Sequence, residues 1–300
     1  MNQPVRDTAV PFTIALLGIA SYSGMDAVMK GLSIELGAYN AMLWRTSIAL
    51  VIAAILFIWK RSRWPGKSVI RLHIWRGVVT ALMAFLFFWG LVYLPLAEAI
   101  ALSFIAPLIA LYLAAALLGE KIGAKAVFAS VIGFAGALVI VAGKLGGEYS
   151  DDIGKGIGAI LLSALLYAYN LILQRQQALV AKPIEIAFFQ NSTVVSVYLI
   201  FAPALAVVPE NEALSQLALA AVLGIFSLLL VSWAYARAEA RILIPVEYSA
   251  FVWAALLGWL VFAEEVTLVT VAGTGLIVIG CLVAAGQQKD HVDHVETTAV

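Results

Sequence analysis

Apolar runs of roughly twenty residues recur along the chain, at about 11–31, 39–59, 72–92, 97–118, 124–143, 154–175, 183–207, 213–235, 242–262 and 266–285. Each has the length a helix needs to cross a hydrocarbon core of about 30 Å at about 1.5 Å per residue. Polar or helix-breaking joints separate them: Lys60–Lys67, Gly119–Lys121, Gly146–Asp152, Lys182–Pro183 and Pro209–Glu212. No alternating strand pattern competes, and a helix satisfies its own backbone in lipid. The pattern therefore predicts an all-α integral membrane protein of ten transmembrane helices. Several joints hold only a few residues, so consecutive helices run antiparallel. Residues 1–10 are expected to be a cytoplasmic segment without the basic start and cleavage site of a secretory signal. Residues 287–300 read as a charged, disordered cytoplasmic tail.

Composition agrees with lipid as the surrounding medium. Apolar residues make up 63% of the chain and charged residues 12%, half of what a water-exposed surface requires. Charge placement then orients the spans. With the N-terminus inside, fourteen of eighteen basic residues fall on inner segments, among them Arg6, the six from Lys60 through Arg76, Lys121, Lys125 and Arg175. Lys30, Arg45, Lys144 and Lys155 fall outside. The positive-inside rule places both termini in the cytoplasm of a bacterial inner membrane, as an even number of spans requires.

The chain also repeats. A shift of 144 positions lays Trp89 on Trp233, Ala110 on Ala254, Leu113 on Leu257, Glu120 on Glu264 and Gly136 on Gly280. The same shift lays Asp26 on Asn170, and one further step lays Arg45-Thr46-Ser47 on Gln190-Asn191-Ser192. The halves read as 11–145 and 146–286. Five spans per half is an odd number, so the second half enters the membrane upside down. Inverted repeats serve alternating access, with substrate near the midplane between the halves.

These features resemble the drug/metabolite transporter superfamily, specifically its ten-helix EamA-type branch. The resemblance covers about residues 11–286. It is carried by Ala101–Pro107, Leu117-Leu-Gly-Glu120, the glycine-spaced Gly133-Phe-Ala-Gly136, and a weaker second copy. That second copy has Ala263-Glu264 where the family more often has Gly-Glu, and Phe251 where the counterpart of Pro107 would stand. Within the superfamily the aromatic-rich spans look most like YddG-type bacterial exporters of aromatic and other neutral amino acids.

Candidate substrate contacts follow from polar and aromatic residues inside spans. Tyr22, Tyr167 and Trp253 are too central for an interfacial belt, whereas Trp59, Trp64 and Trp75 suit one. Trp89 and Trp233 occupy equivalent places. With Tyr248 they supply aromatic walls for a ring or a cationic amine. Ser23, Ser103 and Asn170 are hydrogen-bonding candidates, although such residues also serve as glue between helices. An ionisable group at a helix centre costs about 2.5–3.5 kcal/mol. Asp26, Lys30, Arg45 and Glu98 lie toward outer helix ends, either as a snorkelling salt-bridge set or, for Asp26 and Glu98, as lining of an outer vestibule. Glu120 and Glu264 sit beside short loops and read as structural. Glu247 follows Pro245, which removes a backbone donor. It forms either an ammonium site or an inner latch with Arg237 and Arg241.

Several classes are disfavoured. Cys281 is the only cysteine and the three histidines are scattered, so neither a disulfide nor a metal cluster is expected. His73 alone among arginines reads as a satisfied or solvated side chain. No phosphate loop, metal motif or nucleophile–base pair supports an enzyme, and a net charge of zero gives no sign of a nucleic-acid partner. The expectation is a carrier of amino acids, with organic cations as the alternative, needing no cofactor and working as a monomer in the lipid bilayer.

Overall fold

The computed structural model describes residues 9–61, 64–118, 124–145, 152–178, 180–235, 246 and 248–286. They form α1 (Ala9–Trp59), α2 (Lys67–Leu91), α3 (Leu96–Ser103), α4 (Ala106–Leu118), α5 (Ala124–Leu145), α6 (Ile153–Ala178), α7 (Pro183–Leu205), α8 (Asn211–Tyr235), α9 (Ser249–Phe262) and α10 (Leu268–Gly286). Helix occupies at least part of every apolar run. By length and composition, α1, α2, α6, α7 and α8 each suffice to cross a membrane. Glu120, Arg237, Arg241, Pro245 and Glu247 lie outside the described residues, as do both terminal segments.

Two joints differ from expectation. The first two spans are not linked by a loop: α1 runs for 51 residues and breaks only at Gly37, with φ 77° and ψ 146°. Positive φ suits a residue without Cβ. The chain reverses there, since Met25 on the first limb meets Arg45 on the second. The fourth span is also broken. Phe104 and Ile105 form a turn between α3 and α4, because Pro107 cannot donate to the carbonyl of Ser103 four residues earlier.

Helix pairing follows the repeat. With the limbs of α1 as spans one and two and α3–α4 as span four, α1 packs on α8 as α2 packs on α6. Likewise α1 meets α9 as α6 meets α3 and α4, while α5–α10 and α1–α7 are partners of themselves under the exchange. Small residues let backbones approach where the halves meet. A Cβ on Gly136 would stand 2.5 Å from the carbonyl oxygen of Gly273. Buried side chains form one large cluster, including Met29, Leu32, Leu91, Leu102, Ile140, Ile160 and Leu217. Outward faces carry exposed Val51, Ile55 and Ile58 on α1, Leu219, Val222 and Phe226 on α8, and Val252, Leu256 and Trp259 on α9. Their three- and four-residue spacing marks apolar stripes that suit lipid.

Candidate functional site

Inside the bundle, Tyr22 and Asp26 on the first limb of α1, Arg45 on the second, Arg76 on α2 and Tyr167 on α6 form one electrostatically connected group. Tyr22 feels both arginines, and Arg45 also feels Tyr198 of α7. Spans from both halves thus contribute. The snorkelling account of Asp26 and Arg45 gives way here. Helix α8 packs over both limbs of α1, so these side chains face inward among helices and away from the outer rim.

The two arginines are held differently. Arg76 donates from Nε to Oδ1 of Asn170 at 3.1 Å, from Nη2 to Oε1 of Gln174 at 3.2 Å, and from Nη1 to Oε1 of Gln177. Thr80 adds a hydroxyl to Asn170 at 3.3 Å. Three neutral amides disperse the charge without competing for it. Among the described residues Arg45 bonds only to the sulfur of Met25, at 2.8 Å from Nη2, and its buried Nε has no acceptor. Asp26, half-buried, makes no hydrogen bond or ion pair among the described residues.

Two further clusters flank this group. On the expected outer side, the Lys30 ammonium pairs with Glu264 and donates to the Leu94 carbonyl at 2.6 Å. Glu264 also accepts from the backbone N–H of Leu96 at 2.8 Å. Lys30 stands 5.2 Å from the ring centroid of Phe262. An open depression of about 340 Å³ lies here, lined by Lys30, Ile34, Tyr93, Phe262 and Glu264 among others. Glu264 therefore does more than end a helix: it ties the first half to the second. Glu98, 1% exposed, accepts from Thr270 at 3.2 Å beside this cluster. On the inner side, His73 is 0% exposed, stacked on Phe189 at 4.9 Å and 3.1 Å from Glu185. Its other ring nitrogen faces the Gln177 amide, so it is a satisfied histidine.

The remaining expected contacts scatter. Asn170 belongs to the central group through Arg76, and buried Ser23 lies one residue from Tyr22. Ser103 returns its hydroxyl to Ala99 within its own helix at 2.8 Å. Tyr248 packs edge-on against Phe104 at 5.2 Å, across the break in span four. Trp253 buries an indole N–H that has no acceptor among the described residues. Trp89 packs on Tyr93 at 5.1 Å near the end of α2, whereas Trp233 packs with Ala15 and Val246 near the end of α8. These equivalent ends face opposite sides of the bundle, so the two tryptophans do not share one site. Arg45 and the Lys30–Glu264 pair are the functional candidates missed by inspection of the sequence, and Arg76 is a missed structural one. Arg76 was legible as a charge within the third span, but it was counted among inner-face basic residues.

Known proteins resemble this chain along nearly its whole length. It is 28% identical to the pseudopaline exporter CntI of Pseudomonas aeruginosa (strain UCBPP-PA14), over 92% of this chain and 96% of that protein. It is 27% identical to a riboflavin transporter of Rhizobium johnstonii, over 87% and 85%. It is 23% identical to an S-adenosylmethionine uptake transporter of Rickettsia felis, over 96% and 97%. A crystal structure shares the fold with a TM-score of 0.60 at 20% identity, covering 92% of this chain and 96% of that one. The EamA-like transporter model matches twice, at residues 11–142 and 154–286, once in each half. With its paired halves, polar interior and membrane-spanning helices, this chain belongs to the EamA-like transporter family and is a membrane transporter of that kind.

Proposed function

We propose that this protein is a secondary transporter that exports amino acids, aromatic and other neutral ones, across the bacterial inner membrane by alternating access. The observation that supports the reading is a carboxyl, Asp26, and a guanidinium, Arg45, on the two limbs of α1, where Arg45 meets Met25 beside Asp26. A zwitterion with an apolar side chain complements such a group, its charges matched and its ring against tyrosine. A lipophilic cation would meet two guanidiniums, Arg45 and Arg76, against one carboxylate, which disfavours the organic-cation alternative. Ten spans with both termini cytoplasmic complete the reading, and the Lys30–Glu264 pair acts as the outer closure between the halves. Trp89 and Trp233 serve as walls near opposite entrances, while Tyr22, Ser23, Tyr167 and Asn170 surround the substrate.

Purified protein in liposomes, loaded with labelled tryptophan, phenylalanine or alanine, tests this directly. Efflux of these amino acids well above empty liposomes is the expected result. Transport of tetraphenylphosphonium, riboflavin or S-adenosylmethionine without any amino acid would replace the reading. Reporter fusions after Gln288 and Pro209 should report opposite sides of the membrane; the same side for both would overturn the topology.

A further inference from the structure

Resting on the amino-acid reading, we infer that Arg45 is the carboxylate anchor and Asp26 the ammonium partner, so that the transported class is α-amino carboxylates and excludes the corresponding amines and amides. A guanidinium carries five donors in a planar fork and no acceptor. Arg45 offers that fork to a thioether, a weak acceptor, and leaves a buried Nε with no acceptor. Buried donors are rarely left so, because desolvation goes uncompensated. Arg76, a short distance away, shows what a purely structural arginine in this bundle looks like: three side-chain oxygens accept from it.

The Arg45 guanidinium packs close against α8. A Cβ on Gly224 would stand 2.7 Å from Arg45 Nη2 and 3.0 Å from Met25 Sδ. The guanidinium therefore lies against bare backbone of α8, on the half opposite its own. Asp26 adjoins Met25, whose sulfur meets Arg45, and makes no ion pair among the described residues. A carboxyl and a guanidinium on the two limbs of one helical hairpin match the ammonium and carboxylate of an α-amino acid. A carboxylate fits the planar fork through two parallel hydrogen bonds, a geometry an ammonium-bearing lysine does not reproduce. Removing the substrate carboxylate would leave the donors of Arg45 without oxygens, which is the situation in which binding sites discriminate most sharply.

The experiment compares efflux of L-tryptophan with that of L-tryptophanamide and tryptamine from proteoliposomes of wild type, Arg45→Gln, Arg45→Lys and Gly224→Ala, each checked for a monodisperse elution profile. Wild type is expected to prefer tryptophan by about tenfold or more, the scale of a charge-assisted hydrogen bond. Arg45→Gln should lower tryptophan transport by a similar factor while leaving the amide within about twofold, erasing the preference. Arg45→Lys should fall between. Gly224→Ala, which displaces the guanidinium without touching its charge, should raise KM for tryptophan more than for the amide. A preference ratio unchanged in all three variants overturns the carboxylate role, even with amino-acid transport intact. If Arg45→Gln does not fold, the ratio in the other two decides alone. Wild-type liposomes that carry none of the three compounds would remove the amino-acid reading itself, and this inference with it.

Discussion

Arg76 and Arg45 place the same functional group in the same helical interior with opposite outcomes. Around Arg76, α6 supplies Asn170, Gln174 and Gln177, three amides on one helix face at three- and four-residue spacing. Around Arg45 there is a methionine sulfur and glycine backbone. The first arrangement makes a charge into part of the scaffold, because each guanidinium nitrogen has an oxygen to donate to. The second leaves a guanidinium with only a thioether to bond among the described residues, and to it we assign the substrate carboxylate. The contrast teaches that burial of an arginine says little about its role, whereas the count of its acceptors says a great deal.

Substitution with methionine should separate the two most strongly. Arg76→Met is expected to destabilise the fold by about 1–3 kcal/mol, since it takes the guanidinium donor from the buried amide oxygen of Gln177. Arg45→Met should leave the detergent melting temperature unchanged or raised, and should abolish the stabilisation that saturating tryptophan gives wild type. Equal losses in both variants would erase the distinction. The outer closure offers a milder test. Among the described residues Lys30→Met leaves the Glu264 carboxylate with only the Leu96 N–H, and should expose Leu94, now 2% exposed. A cysteine introduced there, with Cys281 replaced by alanine, should react with an impermeant maleimide about tenfold faster or more. No change in rate would show that the pair does not hold the outer face shut. The smallest effect calibrates ordinary strain. Ala263 ends α9 in the left-handed region, at φ 53°. Ala263→Gly should stabilise by about 0.5–1 kcal/mol, equally with and without tryptophan, whereas the effect at Arg45 depends on the ligand.

The same alanine shows how much of the fold was legible beforehand. The family resemblance expected glycine before Glu264, and the positive φ supplies the physical reason for that preference. The apolar runs located the helical segments because lipid exposure writes itself into hydropathy. Hydropathy could not show that Gly37 reverses the chain without a loop, since it averages over one residue's dihedral angles. Pro107 was visible, yet the break it causes at Phe104 was read as part of one continuous span. The site was less legible. Asp26 and Arg45 stood out as charges, but distance from the span ends suggested the rim, and only the packing of α8 over both limbs shows them enclosed. Glu264 was read as a local helix end because its partner Lys30 lies 234 positions away. Long-range pairings of that kind leave no periodic trace.

Exchange of the halves carries Asp26 onto Asn170 and Arg45 onto Gln190. A chamber with two identical halves would accept an elongated cargo in two degenerate poses, head first or tail first. Confining both formal charges to one half lifts that degeneracy. Under the proposed carboxylate role the cargo would keep one polarity throughout the crossing, its charged end tethered to the α1 hairpin while its side chain passes from one mouth of the protein to the other.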